Sequence, residues 1–236
     1  MMSGKRWGYV VQFFCLLVFL GMSPFLIKMD GRKIMSVSSD SVRSQNVSDE
    51  VKPVVALTFD DGPNASSTPI LLDGLKERKV RATFFLIGEN VEKDENEKIV
   101  KRMYEEGHLI GNHTYRHVDL SKISGREAEK EIKTTDEAIK KITGHETEFI
   151  RPPFGAMPEG EEDPDKIYVK WTVDSLDWVT KDTEKIVEKV TADTKEGDVI
   201  LMHDCYGESV EAALQIVDIM EKQGYEFVTA DELIIN

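Results

Sequence analysis

The sequence predicts an α/β protein in which about seven parallel strands form a complete or incomplete (β/α) barrel, preceded by one membrane-spanning helix. Three observations lead there. From Val54 onward, short β-branched or aromatic runs alternate with amphipathic helical runs, the pattern of a parallel sheet with helices outside it. The unusual polar residues fall just after those short runs, where a parallel barrel gathers its functional groups. Trp7 to Ile27 is an uncharged, mostly apolar stretch long enough to cross a bilayer, for which about 20 residues are needed.

That first stretch follows Lys5-Arg6 and reads as an uncleaved anchor over residues 1–29. The competing reading is a cleaved signal peptide, but Gly21-Met22-Ser23 is a poor cleavage site with Pro24 directly behind it. Lys28, Arg32 and Lys33 lie beyond the run, so charge alone does not fix its orientation. Residues 30–52 are rich in Ser, Asp and Val without a period and read as a flexible stalk, leaving 53–236 as the globular domain. The expected location is the cell membrane, single-pass, with the domain outside; cleavage would make the protein secreted.

Val54 to Phe59 is the first strand, and Gly62-Pro63 forces the turn after it. Thr68-Pro69 reads as an N-cap followed by proline at the first helical position, with Ile70, Leu71, Leu72 and Leu75 on one face. Ala82 to Ile87 is the second strand, a helix runs from about Asp94 to Glu106, and His108 to Gly111 is the third strand. Ser124 and Glu127 form a capping box for a long helix that Gly144 ends. Strands four to seven are read at Phe149 to Arg151, Tyr168 to Thr172, Asp198 to Met202 and Glu226 to Val228.

Five polar stretches stand at the ends of these strands. Asp60 and Asp61 follow the first; taken alone, Asp-Asp-Gly-Pro is equally a turn signal. His113 and His117 follow the third, and histidines four apart share one face of a helical turn and can share a metal ion. Arg151, stiffened by Pro152-Pro153 ahead of Phe154, suits a fixed carboxylate partner. Asp174 to Trp178 follows the fifth strand, and Leu201-Met202-His203 ends the sixth. Each has a bland alternative, such as an exposed loop or a satisfied core histidine. All of them meeting at one rim by accident is improbable.

With those five stretches in that order, the chain from about Val54 to Leu233 resembles the polysaccharide deacetylases of carbohydrate esterase family 4, the NodB-type domain. The resemblance implies a distorted (β/α) barrel that removes acetyl groups from N-acetylated sugar polymers with one divalent metal, Zn2+ or alternatively Co2+. It matches Asp61, His113 and His117 to the metal ligands, Asp60 to the general base and Arg151 to the residue that orients it. His203 matches the general acid and Asp177 the carboxylate that tunes it. Trp178 and Leu201 match the walls of the acetyl pocket, and the Phe154 backbone N–H would help hold the oxyanion.

The expected substrate is N-acetylglucosamine of peptidoglycan, in the cell wall; chitin oligomers, an exopolysaccharide and N-acetylmuramic acid are rivals, and a catalytically silent glycan-binding module is the alternative from another class. A formal charge of -14 argues against nucleic acid as a partner and suits a product that gains positive charge. Cys15 and Cys205 are not expected to pair, and oligomeric state is not encoded in any motif. Between Gly155 and Trp171 the likeness thins, with a short acidic stretch that carries Pro158 and Pro164, so the barrel is expected to be open or irregular between strands four and five.

Overall fold

The computed structural model describes residues 52–157 and 163–235. The anchor expected at 1–29, the stalk up to residue 51 and positions 158–162 of the acidic stretch lie outside the described residues. Among the described residues, no helix is long and apolar enough to cross a membrane.

β1 (Val54–Asp60) is the axis of the sheet, buried at every residue after the first. β7 (Val199–His203) runs parallel to it from Ala56 to Asp60 on one edge. The other edge is shared, with β8 (Glu226–Val228) against Val54 to Ala56 and β2 (Thr83–Leu86) against Thr58 to Asp60. Outward from β2 come β3 (Leu109–Asn112), β4 (Phe149–Ile150) and β5 (Ile167–Tyr168); outward from β7 comes β6 (Val173–Asp174). Every pairing is parallel, in the order β5-β4-β3-β2-β1-β7-β6.

Among the described residues no ladder joins β5 to β6, so the barrel is open there. An incomplete barrel is what the sequence led us to expect, but the opening lies elsewhere than foreseen, since strands four and five are joined by the pairing of Phe149 and Ile150 with Ile167 and Tyr168. Of the single strand expected over Tyr168 to Thr172 only Tyr168 is in a strand, as the end of β5; the gap takes up the rest of the run, and β6 begins beyond it at Val173. The physical reason is a competing donor: the carbonyls of Val169 and Lys170 accept from the Arg151 guanidinium instead of extending a ladder.

Helices fill the connections: α1 (Thr68–Arg78), α2 (Gly88–Val91), α3 (Glu97–Glu105), α4 (Gly125–Thr143), α5 (Asp177–Thr180), α6 (Thr183–Asp193), α7 (Gly207–Lys222) and α8 (Ala230–Ile235). The α4 capping box forms as expected, with Ser124 accepting from the Glu127 amide and Glu127 reaching back to the Ser124 amide. α1 starts one residue off the expected frame. Ser67 is its N-cap, while the Thr68 hydroxyl donates to Asp204.

Side-chain parity decides what each strand face does. Val55, Leu57 and Phe59 on β1, Phe84 and Leu86 on β2, and Ile200 and Met202 on β7 join the helices in the main core. Each such fully buried side chain contributes roughly 1.5–3 kcal/mol. The opposite parity lines the barrel interior. Register sets Thr58 beside Leu201, and Asp60 beside both His203 and Phe85.

Candidate active site

Arg151 occupies the barrel interior and is wholly buried. Its Nη1 donates to Asp60 Oδ1 at 2.9 Å and to Thr58 Oγ1 at 2.7 Å. Nε and Nη2 reach the Val169 and Lys170 carbonyls, and the guanidinium carbon lies 4.2 Å over the Phe85 ring. A buried charge costs several kcal/mol unless it is paired and hydrogen-bonded, and here it is paired with Asp60 while four of its five N–H groups donate. Asp60 is thereby fixed by Oδ1, with Oδ2 lying 3.7 Å from His113 Nε2.

Asp61 follows at φ 72, a left-handed conformation that swings its carboxylate out of the strand direction toward two imidazoles. Its Oδ1 lies 3.5 Å from His113 Nε2 and 3.3 Å from His117 Nε2. The helical turn expected for these histidines is not formed. They sit on a bend after β3, with Thr114 at φ 62 and His117 at φ 55, and the bend, not a helix face, brings them together. His113 Nδ1 lies 2.6 Å from the Arg151 carbonyl oxygen. A carbonyl only accepts, so Nδ1 carries the proton and Nε2 presents a lone pair.

The three residues fit a metal ion. One ligand atom from each lies within 4.8 Å of the others, and Asp61 Oδ1 is a buried carboxylate oxygen with no hydrogen-bond partner. Burial pushes the Asp61 carboxyl up, but the His113, His117 and His203 imidazoles outweigh it and hold the group below the usual carboxylate range. Burial, and then His113 beside it, keep His117 below its ordinary value. Both therefore favour their unprotonated forms at neutral pH, as ligation requires.

His203, at the end of β7, is held differently. Its Nδ1 is 2.8 Å from Asp177 Oδ1, and its backbone N–H donates to Asp177 Oδ2 at 2.7 Å. Burial alone would lower the imidazole, yet the Asp177 carboxylate raises it to about 9. Burial pushes Asp177 up in turn, and the bonds from His203 bring it below the usual carboxylate range. The charged ring points Nε2 toward Asp61 Oδ2, 4.0 Å away.

Residues 48–163 match the polysaccharide deacetylase family. Over 186 residues the chain is 42% identical to the peptidoglycan-N-acetylglucosamine deacetylase of Bacillus cereus, covering 75% of this chain and 67% of that one. The chain belongs to the polysaccharide deacetylases. It is also 38% identical to the peptidoglycan-N-acetylmuramic acid deacetylase PdaC of Bacillus subtilis, spanning 82% of this chain but 41% of that longer protein. The solved PdaC structure superposes with a TM-score of 0.75 at 37% identity, over 78% of this chain and 91% of that one. A family 4 acetyl xylan esterase from Clostridium thermocellum, solved with a cobalt ion, gives 0.70 at 33% identity over 77% of this chain and 90% of that one.

In this deacetylase, Asp60, Asp61, His113, His117, Arg151, Asp177 and His203 converge on one mouth, as the strand-end positions implied. Phe154, at φ 60 and 69% exposed, sets its ring edge-on to His117 with centroids 4.7 Å apart. Leu201 is buried on β7 with the same parity as His203. Trp178 stands half-exposed on α5. A polar cavity of about 350 Å3 adjoins Asp61 and is lined by Asn64, Ser66, Asn90, Lys93 and Asn96.

Two residues of the site escaped the sequence reading. Thr58 bridges Arg151 to the Ile200 carbonyl, and its signal was a lone hydroxyl in an apolar strand, two residues before Asp60 and so on the same face. Asp204 is fully buried and takes the Thr68 hydroxyl, tying the start of α1 to the end of β7; burial lifts its carboxyl to about 7. Nothing in the sequence distinguished it from an acidic loop residue.

Proposed function

We propose that the protein is a metal-dependent hydrolase that removes N-acetyl groups from N-acetylglucosamine in peptidoglycan. The observation that carries this is the convergence of Asp61, His113 and His117 on one point, with Asp60 and a carboxylate-charged His203 beside it.

Asp61, His113 and His117 would hold one divalent ion, Zn2+ or alternatively Co2+, which when bound would polarise the acetyl carbonyl and acidify a water. Asp60, with Oδ1 engaged by Arg151, offers Oδ2 to take the proton of the attacking water. Arg151 aims that carboxylate. The Phe154 backbone N–H serves the developing oxyanion, and Trp178 and Leu201 wall the acetyl group. An amide nitrogen leaves poorly as an anion; His203 supplies its proton, and Asp177 keeps the ring charged until it does.

The same reading places the enzyme on the outer face of the cell membrane, held by residues 7–27, so that the wall lies within reach. Similarity to PdaC favours N-acetylmuramic acid as the second candidate sugar. The test is acetate release from peptidoglycan and chitin oligomers with added zinc or cobalt, followed by mass spectrometry of the digested wall. Loss of acetyl from glucosamine residues is expected. Loss from muramic acid alone would reassign the sugar, and metal-loaded protein that releases no acetate from any glycan would leave only a binding module.

A further inference from the structure

The loop that carries both histidines has no regular structure to satisfy its backbone, so its amides and carbonyls must find partners elsewhere. From one side, Glu131 of α4 does most of this. Its Oε2 accepts from the Tyr115 amide at 3.0 Å and the Arg116 amide at 2.8 Å, the two N–H groups midway between the histidines. Its Oε1 takes the Arg116 guanidinium at 2.9 and 2.7 Å, and the residue is only 5% exposed. Asn112 adds the Thr114 amide at 2.8 Å.

From the other side, the first amides of α2 hold the carbonyls. Gly88 donates to Thr114 and Glu89 to Tyr115, each at 3.0 Å. Gly88 has no room for a side chain, because a Cβ there would stand 2.5 Å from Tyr115 Cδ2 and 2.7 Å from Thr135 Oγ1. The loop is thus gripped between α4 and α2 while Thr114 and His117 stay in the left-handed region, a conformation that persists only where surroundings impose it.

We propose that Glu131 is a positioning residue for the metal centre, holding the His113–His117 loop against Gly88 so that both Nε2 atoms meet Asp61, and that this grip sets metal affinity. A carboxylate buried to accept two consecutive amides does more than brace a helix. Solvent exposure of the Arg116 side chain shows that the arginine is the accessory of the pair and the loop backbone its object. The inference rests on the metal-dependent reading above.

The test is cobalt(II) titration of the detergent-purified full chain, followed by its visible absorption bands, for wild type, Glu131→Gln, Arg116→Met and Gly88→Ala. Glu131→Gln is expected to weaken cobalt about tenfold to a hundredfold and to alter the band shape, as loss of outer-shell support does. The circular dichroism of the metal-free chain should not change. Arg116→Met should stay within about twofold, and Gly88→Ala should weaken binding from the opposite wall. Unchanged affinity in Glu131→Gln overturns the proposal, as does an equal loss in Arg116→Met, which would assign the effect to the ion pair. If Glu131→Gln fails to fold, Gly88→Ala decides, unchanged affinity again overturning it. A wild-type chain that binds no cobalt removes the metal-dependent reading itself, a result separable from all of these.

Discussion

His113 and His203 face one mouth from strands on opposite sides of β1, and what each Nδ1 meets sets them apart. His113 donates to a neutral backbone carbonyl, which fixes the tautomer. His203 meets a buried carboxylate, which holds the ring charged up to about 9. The same side chain thereby presents a lone pair on the β3 side and a protonated ring on the β7 side. A single mouth can then offer a cation site and an acid without the two exchanging roles.

The comparison breaks most visibly if the ligand side is cut. His113→Ala should strip the metal from the purified chain, read as the metal-to-protein ratio; an unchanged ratio would take His113 out of the ligand set. Next comes His203→Ala, expected to lower acetate release roughly a hundred- to ten-thousand-fold while metal content stays at the wild-type level. Metal lost along with activity would mean that the two sides are not separate. Asp60→Asn should show the same pattern, with turnover reduced by a similar factor and metal retained.

Smaller effects sharpen the origin of the His203 charge. In the metal-free chain, nuclear magnetic resonance titration should show this imidazole losing its proton near 9. In Asp177→Asn it should titrate lower, because the partner that outweighs desolvation is gone. The sign is fixed: the folded value lies above the ordinary 6.5, so the stability this pair contributes is full below 6.5 and lost as pH rises through about 9. A titration that does not move would place the cause elsewhere. The smallest expected effect is in Thr58→Val, which leaves the Arg151–Asp60 pair intact but strips one bond from it and one from Ile200. It should cost about 1–2 kcal/mol in denaturant unfolding, with metal affinity unchanged.

Legibility followed the range of the interactions involved. The α4 capping box and its Gly144 stop depend on residues within a few positions of one another, and both stand where the pattern put them. β1 was legible from its apolar run Val54-Val55-Ala56-Leu57 because both of its faces are covered. The Tyr168 to Thr172 run failed as a strand because its ladder was displaced by a guanidinium 18 or 19 residues earlier in the chain. The spacing of His113 and His117 led to the expected proximity but not through the expected helical turn, since two left-handed residues between neighbouring helices bring the rings together.

By itself the sequence determined the parallel architecture, where most of the strands lie along the chain and the identity of the side chains at their ends, because burial periodicity and turn chemistry are local. Only the tertiary structure decided where the barrel opens, which nitrogen of His113 is free, and that Thr58, Asp204 and Glu131 serve the site. Those choices turn on contacts between groups distant in sequence, where a hydrogen bond is made or refused according to what burial brings within about 3 Å.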